Sequence, residues 1–582
     1  MPEQRYRWKS KHIRQQLLVL NGQKAPTLVL KDATYLNARM KQWKKAHIWV
    51  YQDRIVYVGS EMPKHTDAST EIIDCSEKYV VPGYIEPHVH PFQLYNPQTF
   101  SQYAAKHGTT TLFNDNLILA LQLEQKTAFS LIEEMKTLPQ SLYWWCRFDS
   151  QTEIDEEADI FSHTNITSWL QNEAVLQGGE LTSWPKLLDG DDLMLHWVQE
   201  TKRMRKHIEG HFPGASAFTL AKMKLLGADS DHESMTGEDV VARLTQGYDV
   251  ALRHSSIRPD LPKLLQELKE LQVDYFDHIT MNTDGSPPSF YQNGVSDMLI
   301  TLAISEGVPV LDAYNMVSVN IARYYNMEHL HGHVATGCVA NINILEDPMR
   351  PTPVSVLAKG KWMKKEGKEQ ALASVEFPWE KFGFSPLKLD FDLTMDDFQF
   401  SMPVGVKMKN AVIMEPYSIH LNVSGDVLAS DHDESFLVLV DREGKWRINT
   451  LLKGFATNVS GLASSFSNTG DFILIGKSKK DMMCAFKRMK EIGGGIVITE
   501  DEKVVYELDL PLKGVMSNLP MEELSKREVE LKKVLGERGY KHDDPVYSLL
   551  FFSSTHLPYI RITPVGIYDV MNKKVLFPSI MR

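Results

Sequence analysis

Between Tyr79 and Met327, eight short apolar runs alternate with helix-like stretches, and each run ends in a polar residue. The run ends fall near His90, Asp115, Asp149, Glu180, His211, His232, His254 and Asp284, about 28 residues apart on average. That spacing is close to the roughly 30 residues of a βα unit. Residues 79–327 also match the roughly 250 residues of a closed (β/α)8 TIM barrel. An open doubly wound sheet is the rival arrangement, but no GxGxxG follows an early strand. The pattern predicts an α/β chain built around a barrel.

The barrel does not account for the whole chain of 582 residues. Residues 26–60 read as short strands: Leu28-Val29-Leu30, Ile48–Tyr51, a Gln52-Asp53-Arg54 turn, then Ile55–Gly59. A similar texture returns at Val339–Leu345 and Val354–Leu357, so the two flanks are expected to pair into one composite β-sandwich domain. Residues 365–395 read as a connector, and the remainder as a separate α+β domain. Its clearest helix is Pro520–Leu535, with Pro520 at the start and Glu522 and Glu523 in the first turn. The expected division is 1–78 and 328–395 for the β-domain with its connector, 79–327 for the barrel, and 396–582 for the C-terminal domain.

Composition removes several function classes. The net charge of −12 lacks the positive field that holds phosphate backbones, so nucleic acid is not the expected partner. No apolar run approaches the roughly 18 residues of a membrane span, and the first twenty residues lack the apolar stretch of a signal peptide. Cys75, Cys146, Cys338 and Cys484 are scattered and form no CxxC pair, which suits a reducing cytoplasm. The chain is expected to be a cytoplasmic protein that takes a small molecule.

Five of the eight run ends carry metal-ligand residues. His88 and His90 are two apart, so on a strand they point the same way. Glu180 follows Gly178-Gly179, His211 lies in Glu209-Gly210-His211-Phe212-Pro213-Gly214, His232 in Asp231-His232-Glu233, and Asp284 in Thr283-Asp284-Gly285. Taken singly, each has an ordinary structural reading as a loop or turn residue. Together they fall where TIM-barrel active sites lie, at the C-terminal strand ends. Four imidazoles and two carboxylates suffice for two divalent ions bridged by Glu180, and without cysteine in the set Mn²⁺, Fe²⁺ and Zn²⁺ all remain open.

These segments make the chain resemble the amidohydrolase superfamily, and within it the adenine deaminase family. The tail Lys490–Val497, which contains Gly493-Gly494-Gly495, resembles that family's C-terminal domain. The resemblance implies hydrolysis of adenine to hypoxanthine and ammonia, with a metal-bridged hydroxide attacking the purine C6. It implies metal ligation by His88, His90, Glu180, His211, His232 and Asp284, two ions per chain with Mn²⁺ foremost, and a homo-oligomer. Asp284 is then the general base. Glu233 is either a proton shuttle or a partner that orients His232.

Three segments depart from the family pattern. Phe113-Asn114-Asp115-Asn116 stands where the family has Asp-Pro-His-Glu, Gly285 where it has a second acid, and Ser465–Asp471 where it has a histidine-bearing run. These departures keep open a different purine or a cyclic amide as substrate, or a metal-binding homologue without catalysis. Elsewhere, His254 and Arg258 could reach a substrate or sit in a solvated loop. Trp144 and Trp145 are expected inside the barrel, and His329-Leu330-His331 on the surface.

Overall fold

The computed structural model describes residues 9–154, 157–370 and 376–582. Eight parallel strands form the central sheet in sequential order: Tyr84–Val89, Thr109–Asp115, Ser141–Cys146, Val175–Leu181, His207–Gly210, Ser230–Asp231, Asp249–Arg253 and Ile279–Asn282. They are called barrel strands one to eight below. Nearly every side chain of these strands is buried on both faces, as in a sheet covered by helices. Strands one and eight adjoin, and Thr283 Oγ1 donates to Glu86 at 3.0 Å across that seam. Trp144 and Trp145 are fully buried, as expected of strand three.

The two flanks do pair. Leu28–Asn37, Gln42–Tyr51 and Arg54–Gly59 form one sheet with Tyr79–Pro82, which pairs antiparallel with the returning Ile342–Leu345. Leu30, Ile48, Val50, Val80, Ile342 and Leu357 build its apolar core. The surface assignment of His329-Leu330-His331 holds for His329, which is exposed, and fails for His331. His331 is buried under the barrel, its Nε2 3.0 Å from the Tyr143 hydroxyl. A loop after a helix is exposed only if no second sheet packs over it, and here the flanking sheet does.

The C-terminal domain has its own nine-stranded sheet, a helix Lys479–Glu491 packed on it, and a helix Met521–Glu537 opened by Pro520. It closes over the mouth of the barrel. Asn96 caps the helix Pro97–Lys106 with its side-chain oxygen and donates from Nδ2 to Ser517 O at 2.8 Å. Glu528 accepts from Ser289 N and Oγ at 2.5 and 2.9 Å, just after strand eight. Thr152 Oγ1 donates to Ser553 O at 2.6 Å, and Ser256 Oγ to Asp544 at 2.9 Å. Loops after strands one, three, seven and eight are thus all tied to the C-terminal domain.

Candidate metal centre

All six residues singled out as ligands converge at the C-terminal end of the barrel. Strand one turns His88 and His90 inward together, with Nε2 atoms 3.2 Å apart. Asp284 Oδ1 lies 3.4 Å from each of them. Glu180 divides its two oxygens: Oε2 lies 3.8 and 3.9 Å from His88 and His90, while Oε1 lies 2.5 Å from His211 Nδ1 and 3.4 Å from His232 Nε2. The backbone of strand four must come close to strand five to place Glu180 there. Gly179 permits it: its φ is +94°, and a Cβ would lie 2.4 Å from Glu209 O.

The donor set fits a pair of divalent ions. His88, His90 and Glu180 form one group of mutually close ligand atoms, Glu180, His211 and His232 another, and His88, His232 and Asp284 join the two. Imidazole and carboxylate donors without thiolate suit Zn²⁺, Mn²⁺ or Fe²⁺. A carboxylate facing one cluster with each oxygen is the arrangement a bridging ligand needs.

Residues behind this set hold the ligands in place, and most were not singled out from sequence. Glu209 Oε1 sits 3.0 Å from His88 Nδ1 and 3.1 Å from His232 Nδ1, so one carboxylate orients two imidazoles. Burial works against its ionisation, but the charges of His88 and His232 win and lower it to about 2. Asp115 Oδ2 lies 2.9 Å from His90 Nδ1 and accepts two hydrogen bonds from Arg147. His90 is raised to about 9: burial opposes its charge, and the contacts with Asp115 and Asp284 overcome that. Arg147, at the end of strand three, also lies 2.8 Å from Glu180 Oε2. Burial disfavours the Glu180 carboxylate, but Arg147 and His211 hold its pKa well below the ordinary value.

Arg253, ending strand seven, joins the two candidate catalytic carboxylates. Its Nη1 donates to Glu233 Oε1 at 2.6 Å, and its Nη2 lies 2.6 Å from Asp284 Oδ2. Arg258 binds the other oxygen of Glu233. Burial again opposes the charge, but His211, Arg253 and Arg258 lower Glu233 to about 2. Arg258 therefore faces the site rather than a solvated loop, whereas the His254 ring lies tilted against Phe290 with centroids 5.7 Å apart. Position at a strand end was the available signal for Arg147 and Arg253, but arginine is not a ligand type.

The departures from the family pattern also have physical roles. Asp115 orients His90, Asn114 Nδ2 donates to Tyr143 O at 3.0 Å, and Asn116 Oδ1 accepts from Arg147 N at 2.9 Å. Ser465 Oγ donates to Gly514 O at 2.6 Å and accepts from Gly495 N at 2.8 Å. Ser467 and Asn468 line a small cavity opposite Phe92, Leu117 and Ile118. The Ser465–Asp471 segment thus lies against the helix that follows Asn116, where the C-terminal domain covers the barrel.

Comparison with known proteins agrees with this architecture. The Amidohydrolase family profile matches residues 79–365, and the Adenine deaminase C-terminal domain profile matches residues 411–574. A protein of Halalkalibacterium halodurans named "Putative adenine deaminase" is 56% identical over 582 residues, covering 100% of each chain. A Bacillus cereus protein of the same name is 54% identical over 580 residues, covering 100% of this chain and 98% of that one. A Methanococcoides burtonii protein named "Adenine deaminase" is 26% identical over 586 residues, covering 97% of this chain and 98% of that one.

Proposed function

The chain belongs to the adenine deaminase family of amidohydrolases, and from that premise we propose that it is a hydrolase converting adenine and water to hypoxanthine and ammonia. What supports the reading is the convergence of four imidazoles, Glu180 and Asp284 in groups that could hold metal, in a chain similar along its whole length to proteins of that name. His88, His90 and Asp284 would hold one divalent ion, His211 and His232 the other, and Glu180 both. Such a pair supplies a nucleophile at neutral pH and polarises the group under attack.

The protein's own groups then divide the remaining work. Asp284 faces both His88 and His90 from Oδ1 while Arg253 holds Oδ2, which fixes the carboxylate beside the candidate ligands. In this reading Asp284 takes a proton from the attacking water and returns it to the departing amine. Glu233 is kept ionised between Arg253 and Arg258, which suits it to accept a hydrogen bond from a substrate N–H. An ionised carboxylate has no proton to give, so the acceptor role is favoured over a shuttle from the resting state.

Manganese as the resident ion, a homo-oligomeric assembly and a cytoplasmic setting belong to the same proposal, supported by family membership. All four cysteines are free thiols, as a reducing compartment allows. No helix among the described residues is long and apolar enough to cross a membrane. The departures at Asn114–Asn116 and Ser465–Asp471 motivate another purine or a cyclic amide as the second reading. The test is ammonia release from adenine by protein loaded with Mn²⁺, with bound metal counted on the same sample. Release with two ions per chain is expected. Two bound ions with turnover only of another base would replace adenine.

A further inference from the structure

Unpartnered buried polar atoms occur beside the candidate ligands, Glu180 Oε2 and Ser234 Oγ among them, and they are concentrated in one stretch of the C-terminal domain. Within Tyr547–Arg561, buried polar atoms without a hydrogen-bond partner are Tyr547 Oη, Ser553 Oγ, Ser554 Oγ, His556 Nδ1 and both Nε and Nη1 of Arg561. Native proteins leave only a few such atoms per hundred residues, and a concentration of them in fifteen residues calls for a cause. The stretch is not loosely placed. Thr555 N donates to Gln151 O at 2.8 Å, and Ser553 O accepts from Thr152 Oγ1, so it is pinned to the loop after strand three.

Its position relates it to the metal centre at two points. The His556 ring meets the His211 ring edge-on, with centroids 5.9 Å apart. Tyr547, on the helix Pro545–Phe551, lies within electrostatic reach of Asp284 and Arg253. Arg561 lies within electrostatic reach of His556. Arg561 is fully buried, and its one hydrogen bond is from Nη2 to Val412 O at 2.9 Å. No carboxylate among the described residues pairs with it. Burial alone drives its pKa down to about 9. A guanidinium taken out of water without an acceptor is unfavourable unless something bound later supplies one.

We propose that Tyr547, His556 and Arg561 form the substrate-recognition wall of the site, hydrogen-bonding the acceptor-rich ring edge of a purine whose amino-bearing carbon faces the metal ligands. This rests on the proposed deamination and extends it: the barrel carries the chemistry, and the C-terminal domain reads the base. A purine offers ring-nitrogen acceptors for Arg561 and Tyr547. His556 can either donate or accept, according to its tautomer, so it suits a ring edge that carries both an N–H and bare nitrogens. Sites built around such groups reject analogues that leave them unpaired.

The experiment compares wild type with Arg561→Met and Tyr547→Phe. Adenine and its 3-deaza and 7-deaza analogues, each lacking one ring acceptor, are assayed for kcat/KM. Binding of adenine is measured by calorimetry in the metal-loaded Asp284→Asn background, and Tm is read on ligand-free protein. Arg561→Met is expected to raise the ligand-free Tm by removing an unpaired buried charge, and to weaken adenine binding at least tenfold. Against at least one deaza analogue the wild-type preference for adenine should shrink about tenfold in one of the two variants, because the contact it depends on is gone. A lower Tm with unchanged adenine affinity in Arg561→Met, or unchanged discrimination in both variants, would overturn the wall. Wild-type binding of adenine with no ammonia released would instead overturn the deamination and leave the wall standing.

Discussion

Gly285 occupies the position where the family pattern carries a second acid, and the structure makes its substitution a sharp test of how the site is held. A Cβ at position 285 would lie 2.3 Å from His90 N, 2.8 Å from His90 Cβ and 3.0 Å from His90 Cα. Real Cβ contacts stop near 3.0 Å, so Gly285→Ala must separate the turn after strand eight from His90 by about 0.7 Å. Its φ of +54° adds about 1–2 kcal/mol of left-handed strain for any residue with a Cβ. The displaced backbone carries Asp284 on one side and His90 on the other, whose ligand atoms sit 3.4 Å apart. A misplacement approaching 1 Å in such a constellation costs on the order of 100-fold in rate. Gly285→Ala is therefore expected to lower kcat/KM for adenine about 30- to 100-fold and bound metal below two ions per chain, with a Tm loss of a few degrees. The control is Gly190→Ala: its φ is +93° but nothing lies within 4 Å of its added Cβ, so it carries strain without displacement. It should lose stability and keep its metal. Retention of two ions and of kcat/KM within about threefold of wild type by Gly285→Ala would refute the claim that this glycine is required by close approach to His90.

Three further outcomes follow from the same geometry. Asp284→Asn, which keeps a side chain tolerant of the +51° φ at that position, should retain the fold by circular dichroism and lose about 10²–10⁴-fold in turnover; undiminished ammonia release would remove Asp284 as the base. Glu209→Gln weakens the group that orients both His88 and His232, and should reduce metal affinity about 10- to 100-fold in a chelator competition; unchanged affinity would show that the imidazoles are held without it. Metal loading should strengthen as pH rises toward about 9, because His90 is raised to about 9 in the metal-free protein and its proton must leave before it can ligate. Proton release measured by calorimetry in two buffers checks this, and a pH-independent affinity between about 6 and 8 would contradict it.

What could be read from the chain follows a physical boundary. Barrel strands and ligands announce themselves locally, because strand ends carry function in this architecture and His, Glu and Asp are the ligand types. Arg147 and Arg253 sit at strand ends too, yet their roles depend on which strands are neighbours. Arg147 reaches back to Asp115 on strand two and forward to Glu180 on strand four, while Arg253 joins strand six to strand eight. No local pattern distinguishes such an arginine from one facing water. The same holds for Gly285, whose lack of a side chain is visible but whose reason is the backbone of a residue nearly two hundred positions earlier.

The C-terminal contribution lies still further from local inference. Tyr547, His556 and Arg561 follow strand eight by more than 260 residues, in a segment that carries no motif of its own. Tertiary packing buries them, and only burial turns an ordinary arginine into an unpaired charge. The departures from the family pattern acquire meaning in the same way. Asp115 pairs with His90 and Arg147, and Ser465 secures the glycine turn, so both segments have partners within the fold. Departures that look like loss along the sequence have partners in space: Asp115 supports a candidate ligand of the barrel, and Ser465 supports the turn of the domain that covers it.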